Sequence, residues 1–286
     1  MTRLFTDTSA NLPLALLREH DIAVIPFSYT VNGLAADYLA ETDFDGKSFY
    51  DAMRGGAEVK TSMVNPALVA EYFERALAQG EDVLYVGMSG GISGTAHSAA
   101  LAAAELTGKY PGAEIMTIDT YAASLGEGLL VLEAAELLRQ GMSCREAGAR
   151  ILELRPHMCQ FFTVDDLQYL KRGGRISGAA ALVGTMLGIK PVLRGDETGH
   201  IVACGKARGS RRAYAELAEY YGSRALDKAA RIGIAHADNP EGTAQLLELL
   251  REKGFSGDCL TVYYEPVTGS HVGPGTVALF FPGSEK

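Results

Sequence analysis

Val83-Leu84-Tyr85-Val86-Gly87-Met88-Ser89-Gly90-Gly91-Ile92-Ser93-Gly94-Thr95 is an apolar run that ends in a glycine-rich loop. A continuous run of this kind reads as a strand buried on both faces, as in a parallel sheet. The loop opens an alanine-rich helix reaching about Leu106. Upstream, Asn65-Pro66 is a strong helix start, with Asn as cap and Pro in the first turn. Val69, Tyr72, Phe73, Ala76 and Leu77 then recur at helical spacing as far as Gly80. Residues 3–6 and 22–27 read as strands, Asn32-Gly33 as a hairpin turn, and 44–53 as a helix stopped by Gly55-Gly56. Downstream, 114–118 is a strand, a long helix runs to Gln140, and Ser143-x-x-Glu146 is a capping box. This alternation predicts an α/β fold with a doubly wound, mostly parallel sheet.

The pattern breaks at Arg155-Pro156-His157, because proline disfavours helix at the residue before it. A domain boundary placed there divides the chain into 1–156 and 157–286. The second half predicts strands at 159–164, 189–193, 200–206, 231–235, 259–264 and 276–281. Helices are expected from Asp166 to Gly173-Gly174, over 177–187, from Ser210, and after Asn239-Pro240. Asp196-Glu197-Thr198-Gly199 reads as a hairpin, so the second domain is expected to be α/β with a mixed sheet.

Composition narrows the function classes. The 286 residues carry 26 Lys+Arg against 35 Asp+Glu, a net charge of −9, which argues against a surface built to coat nucleic acid. No run of about 18 apolar residues predicts a transmembrane helix. Asp7 follows the start too closely for a signal-peptide core, so a cytoplasmic protein is expected. Cys144, Cys159, Cys204 and Cys259 show neither C-x-x-C nor metal-ligand spacing, and are read as reduced, buried thiols. No metal or cofactor is expected.

Four segments carry candidate chemistry. Residues 89–95 aim backbone N–H groups and a helix N-terminus at one space, with Ser93 as a hydroxyl donor. They can equally form a tight turn in which Ser93 or Thr95 caps the helix. The segment matches neither G-x-x-x-x-G-K-[ST] nor G-x-G-x-x-G, so both nucleotide fingerprints fail. Lys60-Thr61-Ser62-Met63-Val64-Asn65-Pro66 places two hydroxyls in a loop before a helix. Thr268-Gly269-Ser270-His271-Val272-Gly273-Pro274-Gly275 suggests irregular backbone around one histidine. Leu170-Lys171-Arg172-Gly173-Gly174-Arg175-Ile176-Ser177 and 206–212 are basic clusters, suited either to docking an anionic partner or membrane surface or to ending a helix. Asp7, Asp119, Asp165 and Asp166 follow strand ends and are read chiefly as helix caps.

Taken in order, these motifs resemble the DegV family of bacterial fatty-acid-binding proteins, over nearly the whole chain. The matching segments are Asp7-Thr8-Ser9, Thr61-Ser62-x-x-x-Pro66, Ser93-Gly94-Thr95, Leu167-x-x-Leu170-Lys171-x-Gly173-Gly174-Arg175-Ile176, Ile189-Lys190-Pro191 and His271-x-Gly273-Pro274-Gly275. The resemblance implies two α/β domains with a long-chain fatty acid between them. It implies that Thr61 and Ser93 hold the carboxylate, with Ser62 and His271 completing the network and Gly94, Thr95 and Gly273 as supporting loop residues. It further implies a carrier with no activity of its own, which presents the acid to a separate fatty acid kinase. ATP-dependent acyl-phosphate formation there would feed phospholipid synthesis. Arg172 and Arg175 are candidates for docking that kinase, with transient membrane contact as a further expectation. Gly90-Gly91 and Ala96 depart from residues common in the family, at positions that bear on tunnel shape.

Physical chemistry is compatible with this expectation. Burial of a methylene is worth about 0.8 kcal/mol, so fifteen give a gross of about 12 kcal/mol before ordering costs. The alternative from the residues alone is a phosphotransferase or hydrolase acting on a small phosphorylated substrate, with residues 89–95 as the phosphate cradle.

Overall fold

The computed structural model describes residues 1–37, 44–176 and 188–286. The helix expected over 177–187, with its Ala179-to-Gly184 wall, lies outside the described residues. The strands are β1 (Thr2–Asp7), β2 (Ala23–Ile25), β3 (Ser28–Val31), β4 (Leu34–Asp37), β5 (Val59–Ser62), β6 (Asp82–Gly87) and β7 (Ile115–Asp119), then β8 (Met158–Thr163), β9 (Ile189–Gly195), β10 (Ile201–Arg208), β11 (Ile232–His236), β12 (Cys259–Tyr263) and β13 (Val277–Pro282). The helices are α1 (Leu14–Glu19), α2 (Gly46–Arg54), α3 (Pro66–Leu77), α4 (Thr95–Lys109), α5 (Leu125–Arg139) and α6 (Cys144–Leu154), then α7 (Gln168–Gly173), α8 (Ser210–Arg224), α9 (Pro240–Glu252) and α10 (Pro266–Val272).

β2-β1-β6-β7 form a four-stranded parallel sheet. Side chains alternate along a strand, and the packing follows that alternation. Phe5, Val83 and Tyr85 pack with Phe73 of α3 and Ala99 and Leu106 of α4. Leu4, Leu84 and Val86 face the other way, onto Leu130 of α5 and Ile151 of α6. Helices therefore cover both faces, and the apolar run at 83–88 is apolar because both of its faces are buried.

The second sheet has the order β10-β9-β8-β13-β11-β12 and is mixed, with only β11 and β12 running parallel. Phe161, Leu279 and Phe281 pack onto Leu217 of α8 and Leu246 of α9. Phe162, Ala278 and Phe280 join the core that contains α5. Eleven of the fifteen α5 residues are buried, so this helix is wedged between the two sheets rather than lying on a surface.

A third sheet, β4-β3-β5, is antiparallel. Its β3–β4 hairpin turns at Asn32 and Gly33, both with positive φ (50° and 81°), the conformation the Asn-Gly pair favours. Two sequence readings need correction. Residues 59–62 form β5, a strand rather than a loop, because β3 pairs with it and sets Tyr29 opposite Thr61. Residues 266–272 form the helix α10 rather than irregular backbone. Pro266 supplies the first position, and the Glu265 carboxylate caps it by accepting from the Val267 and Thr268 N–H groups, both at 2.6 Å. The four thiols are free, with Cys144 and Cys159 buried and Cys204 and Cys259 only half-buried. No helix among the described residues is long and apolar enough to cross a membrane.

Candidate functional site

β1 ends in a buried polar lock. Asp7 accepts from the Ser9 N–H and hydroxyl, the Tyr85 hydroxyl and the Met88 N–H, at 2.6–3.1 Å. The Asp7-Thr8-Ser9 motif thus caps a 3-10 turn and anchors the backbone just before the 89–95 loop. The Ser9 hydroxyl also contacts Glu127, which accepts from Thr6 at 3.1 Å. One hydroxyl proton cannot serve two carboxylates, so Glu127 holds a proton and donates to Ser9, which donates to Asp7. Burial pushes both carboxyls up, Glu127 well above its ordinary range.

The loop after β6 leads to Ser93 at the N-terminus of α4. Ser93 Oγ accepts from the Thr95 N–H at 3.3 Å and lies 3.0 Å from Thr95 Oγ1. Thr95, buried, accepts from the Val64 N–H at 3.3 Å, which ties the loop to the segment that follows Thr61. With Thr95 donating to it, Ser93 keeps its own proton for the pocket. Gly94 occupies the N-cap position of α4.

Thr61 on β5 meets His271 in the last turn of α10, with Oγ1 2.9 Å from Nε2. Burial, reinforced by the neighbouring Arg175 charge, lowers the His271 pKa to about 4, so the ring is neutral at neutral pH. With the ring proton on Nε2, His271 donates to Thr61 and leaves the Thr61 hydroxyl free to donate into the pocket. Nδ1 faces Gly173, where a Cβ would lie 2.4 Å away. Gly273 ends α10 with φ +80°, and a Cβ there would sit 2.3 Å from the Tyr169 ring.

The fold brings Thr61, Ser62, Ser93 and His271 onto one pocket, together with Arg175. Ser62 is exposed, as the strand alternation requires of the neighbour of an inward-facing Thr61. Arg175, which the sequence suggested for docking, is half-buried and donates to the Ile92 carbonyl at 3.1 Å. Its place beside the hydroxyls was not legible locally, since it comes from the other half of the chain. Arg172 is exposed, its guanidinium 4.8 Å from the Tyr169 ring centroid. Lys206, Arg208, Arg211 and Arg212 are exposed on β10 and α8, outside this pocket.

Behind the polar groups lies a second, mainly apolar cavity that includes Ala122, Ala123, Phe162 and Phe280. Ile92, Ile201, Thr268 and Val272 line both. The two spaces are narrow, about 40 and 50 Å³, so these dividing side chains must part to admit a long guest. On the other side, an open cleft of about 440 Å³ shares Thr61, Arg175 and His271 with the pocket and adds Lys60, Tyr169 and Arg172. Chemically, hydroxyl donors, a guanidinium and a helix N-terminus suit an anion, and the apolar space behind suits a hydrocarbon.

The family model described as "Uncharacterised protein, DegV family" matches residues 1–283. A DegV domain-containing protein of Clostridium perfringens is 38% identical over 284 residues, 99% of this chain and 98% of that one. A Thermus thermophilus structure described as fatty acid binding of a DegV family protein superposes with a TM-score of 0.87, at 33% identity and 98% coverage of both chains. The structure of Bacillus subtilis DegV, described as a fatty acid binding protein, gives a TM-score of 0.81 at 28% identity, again covering 98% of both chains. With the family matched along almost its whole length, this chain belongs to the DegV family.

Proposed function

We propose that this chain binds a long-chain fatty acid between its 1–156 and 157–286 domains and presents the carboxylate to a partner ATP-dependent fatty acid kinase. The observation that carries the reading is a hydroxyl- and arginine-lined pocket abutting an apolar cavity, with Ile92, Ile201, Thr268 and Val272 lining both. Thr61 and Ser93 donate to the carboxylate, Arg175 supplies the countercharge, and neutral His271 sets the direction of the Thr61 proton. The fatty acid binding described for the Thermus thermophilus and Bacillus subtilis relatives supports the ligand class.

The chain acts as a carrier rather than an enzyme. Among the described residues the Thr61–His271 pair has no third group that orients a catalytic imidazole, and Gly173 lies on the Nδ1 side. The open cleft gives a partner access to the carboxylate end, and exposed Arg172 offers it a charged contact.

The test is mass spectrometry of an organic extract from purified protein, beside a Thr61→Ala/Ser93→Ala variant. A stoichiometric long-chain acid, lost in the variant, is the expected result. An empty extract with no uptake of added acid would overturn the proposal.

A further inference from the structure

Two buried hydroxyls among the described residues have no hydrogen-bond partner, those of Thr163 and Thr268. Thr163 lines neither cavity of the site, whereas Thr268 lines both, at their junction. Thr268 is 6% exposed, and its backbone N–H is already committed to Glu265. The other residues shared by the two cavities, Ile92, Ile201 and Val272, are aliphatic. An unmodified acyl chain passing this point would leave the hydroxyl unpaired, and a valine of the same shape would serve it better.

We propose that Thr268 is a specificity residue that favours fatty acids carrying a hydroxyl near the carboxyl end. The proposal rests on the fatty-acid reading of the site and deepens it. Thr268 and His271 are three apart on α10, so they share one face with their Cβ atoms roughly 5–6 Å apart. Each carbon–carbon bond of about 1.5 Å advances an extended chain by roughly 1.25 Å, so this span brings the fifth carbon of an acid held beside His271 level with Thr268. A 5-hydroxy group there can both donate to and accept from the threonine hydroxyl. A site built around such a bond discriminates against the analogue lacking it, because a buried polar group is otherwise left unpaired.

Delipidated wild-type protein and Thr268→Val are titrated with tetradecanoate and with 5-hydroxytetradecanoate, and thermal melting checks that the variant is folded. We expect wild type to prefer the hydroxy acid by about tenfold. The valine variant should lose that preference and bind tetradecanoate at least as tightly as wild type does. If both proteins bind both acids with the same ratio, Thr268 does not set selectivity, although the fatty-acid reading stands. If neither acid binds wild type, the fatty-acid reading fails and this inference falls with it.

Discussion

Thr61 Oγ1 and His271 Nε2 lie 2.9 Å apart, although 210 positions separate them in the chain. The contact joins β5 of the small antiparallel sheet to the last turn of α10, and so links the two halves of the chain at the mouth of the pocket. Burial keeps the ring neutral, so with its proton on Nε2 His271 donates to Thr61 and leaves the Thr61 hydroxyl to donate into the pocket.

Removal of either hydroxyl donor should weaken fatty-acid binding without unfolding the protein. Hydrogen bonds to a charged group are worth about 1.5–3 kcal/mol each, so Thr61→Val or Ser93→Ala should cost roughly ten- to a hundredfold in affinity. Displacement of a fluorescent fatty acid measures this. Unchanged affinity in both variants would remove these residues from the carboxylate site.

His271 predicts an acid-side loss of stability. Its pKa is near 4 in the folded protein and about 6.5 when unfolded. Its contribution is therefore fully present above pH 6.5 and lost as pH falls toward 4. Buried His236 is shifted in the same direction, so the difference between wild type and His271→Gln isolates the effect. Melting curves from pH 7.5 to 4 should show a shallower decline in the variant. A carboxylate bound beside the ring should also raise its pKa, so binding near pH 5 should take up protons, detectable by calorimetry in buffers of different ionisation enthalpy.

Glu127 makes the opposite prediction. Its folded pKa lies well above the unfolded value, so its contribution is complete below about pH 4.3 and is lost as pH rises through the folded value. Glu127→Gln keeps a donor toward Ser9 and an acceptor for Thr6, and should fold well with a flatter alkaline side. Glu127→Ala leaves a void and orphans those hydroxyls, at a cost of about 2–5 kcal/mol. Urea unfolding at pH 5 and pH 8 distinguishes the two, and equal stability of Gln and Ala variants would refute the shared-proton lock.

Gly173→Ala should damage the site more than the fold. The added methyl would lie 2.4 Å from His271 Nδ1 and push the ring away from Thr61. Binding should fall about tenfold while the melting temperature shifts by only a few degrees. A large loss of stability at intact affinity would place the role of Gly173 elsewhere.

The two arginines should separate by function. Arg172→Glu lies on the exposed side of the cleft and should leave fatty-acid binding intact while reducing phosphorylation of the acid by the kinase proposed as partner. Arg175→Ala should weaken binding itself, because the residue lines the pocket. Loss of binding in the Arg172 variant would overturn its assignment to docking.

Much of the fold was legible because its signals are local. Asn65-Pro66, Ser143 with Glu146, and Asn32-Gly33 each act within a few residues, and each forms the cap or turn expected. Glu265-Pro266 carried the same type of start signal for α10, yet glycine density in the 268–275 segment obscured it. β5 was harder: only four residues long, it is a strand because β3 lies beside it. At the site, the motif order pointed to Thr61, Ser93 and His271, but Arg175 was assigned only to docking and Thr268 was not singled out.

The sequence by itself determined the alternation of strands and helices, the caps that bound them and the apolar faces they bury, since periodicity and capping are written in neighbouring residues. Only the tertiary structure decided which polar groups meet. The pocket joins β5, the loop before α4, the segment after α7 and α10. Their convergence depends on how two sheets stack around α5 while the third packs on α10, a balance of long-range packing that local sequence does not record. The proton shared through Ser9 and the unpartnered hydroxyl of Thr268 have the same origin: each is defined by what surrounds a side chain in space.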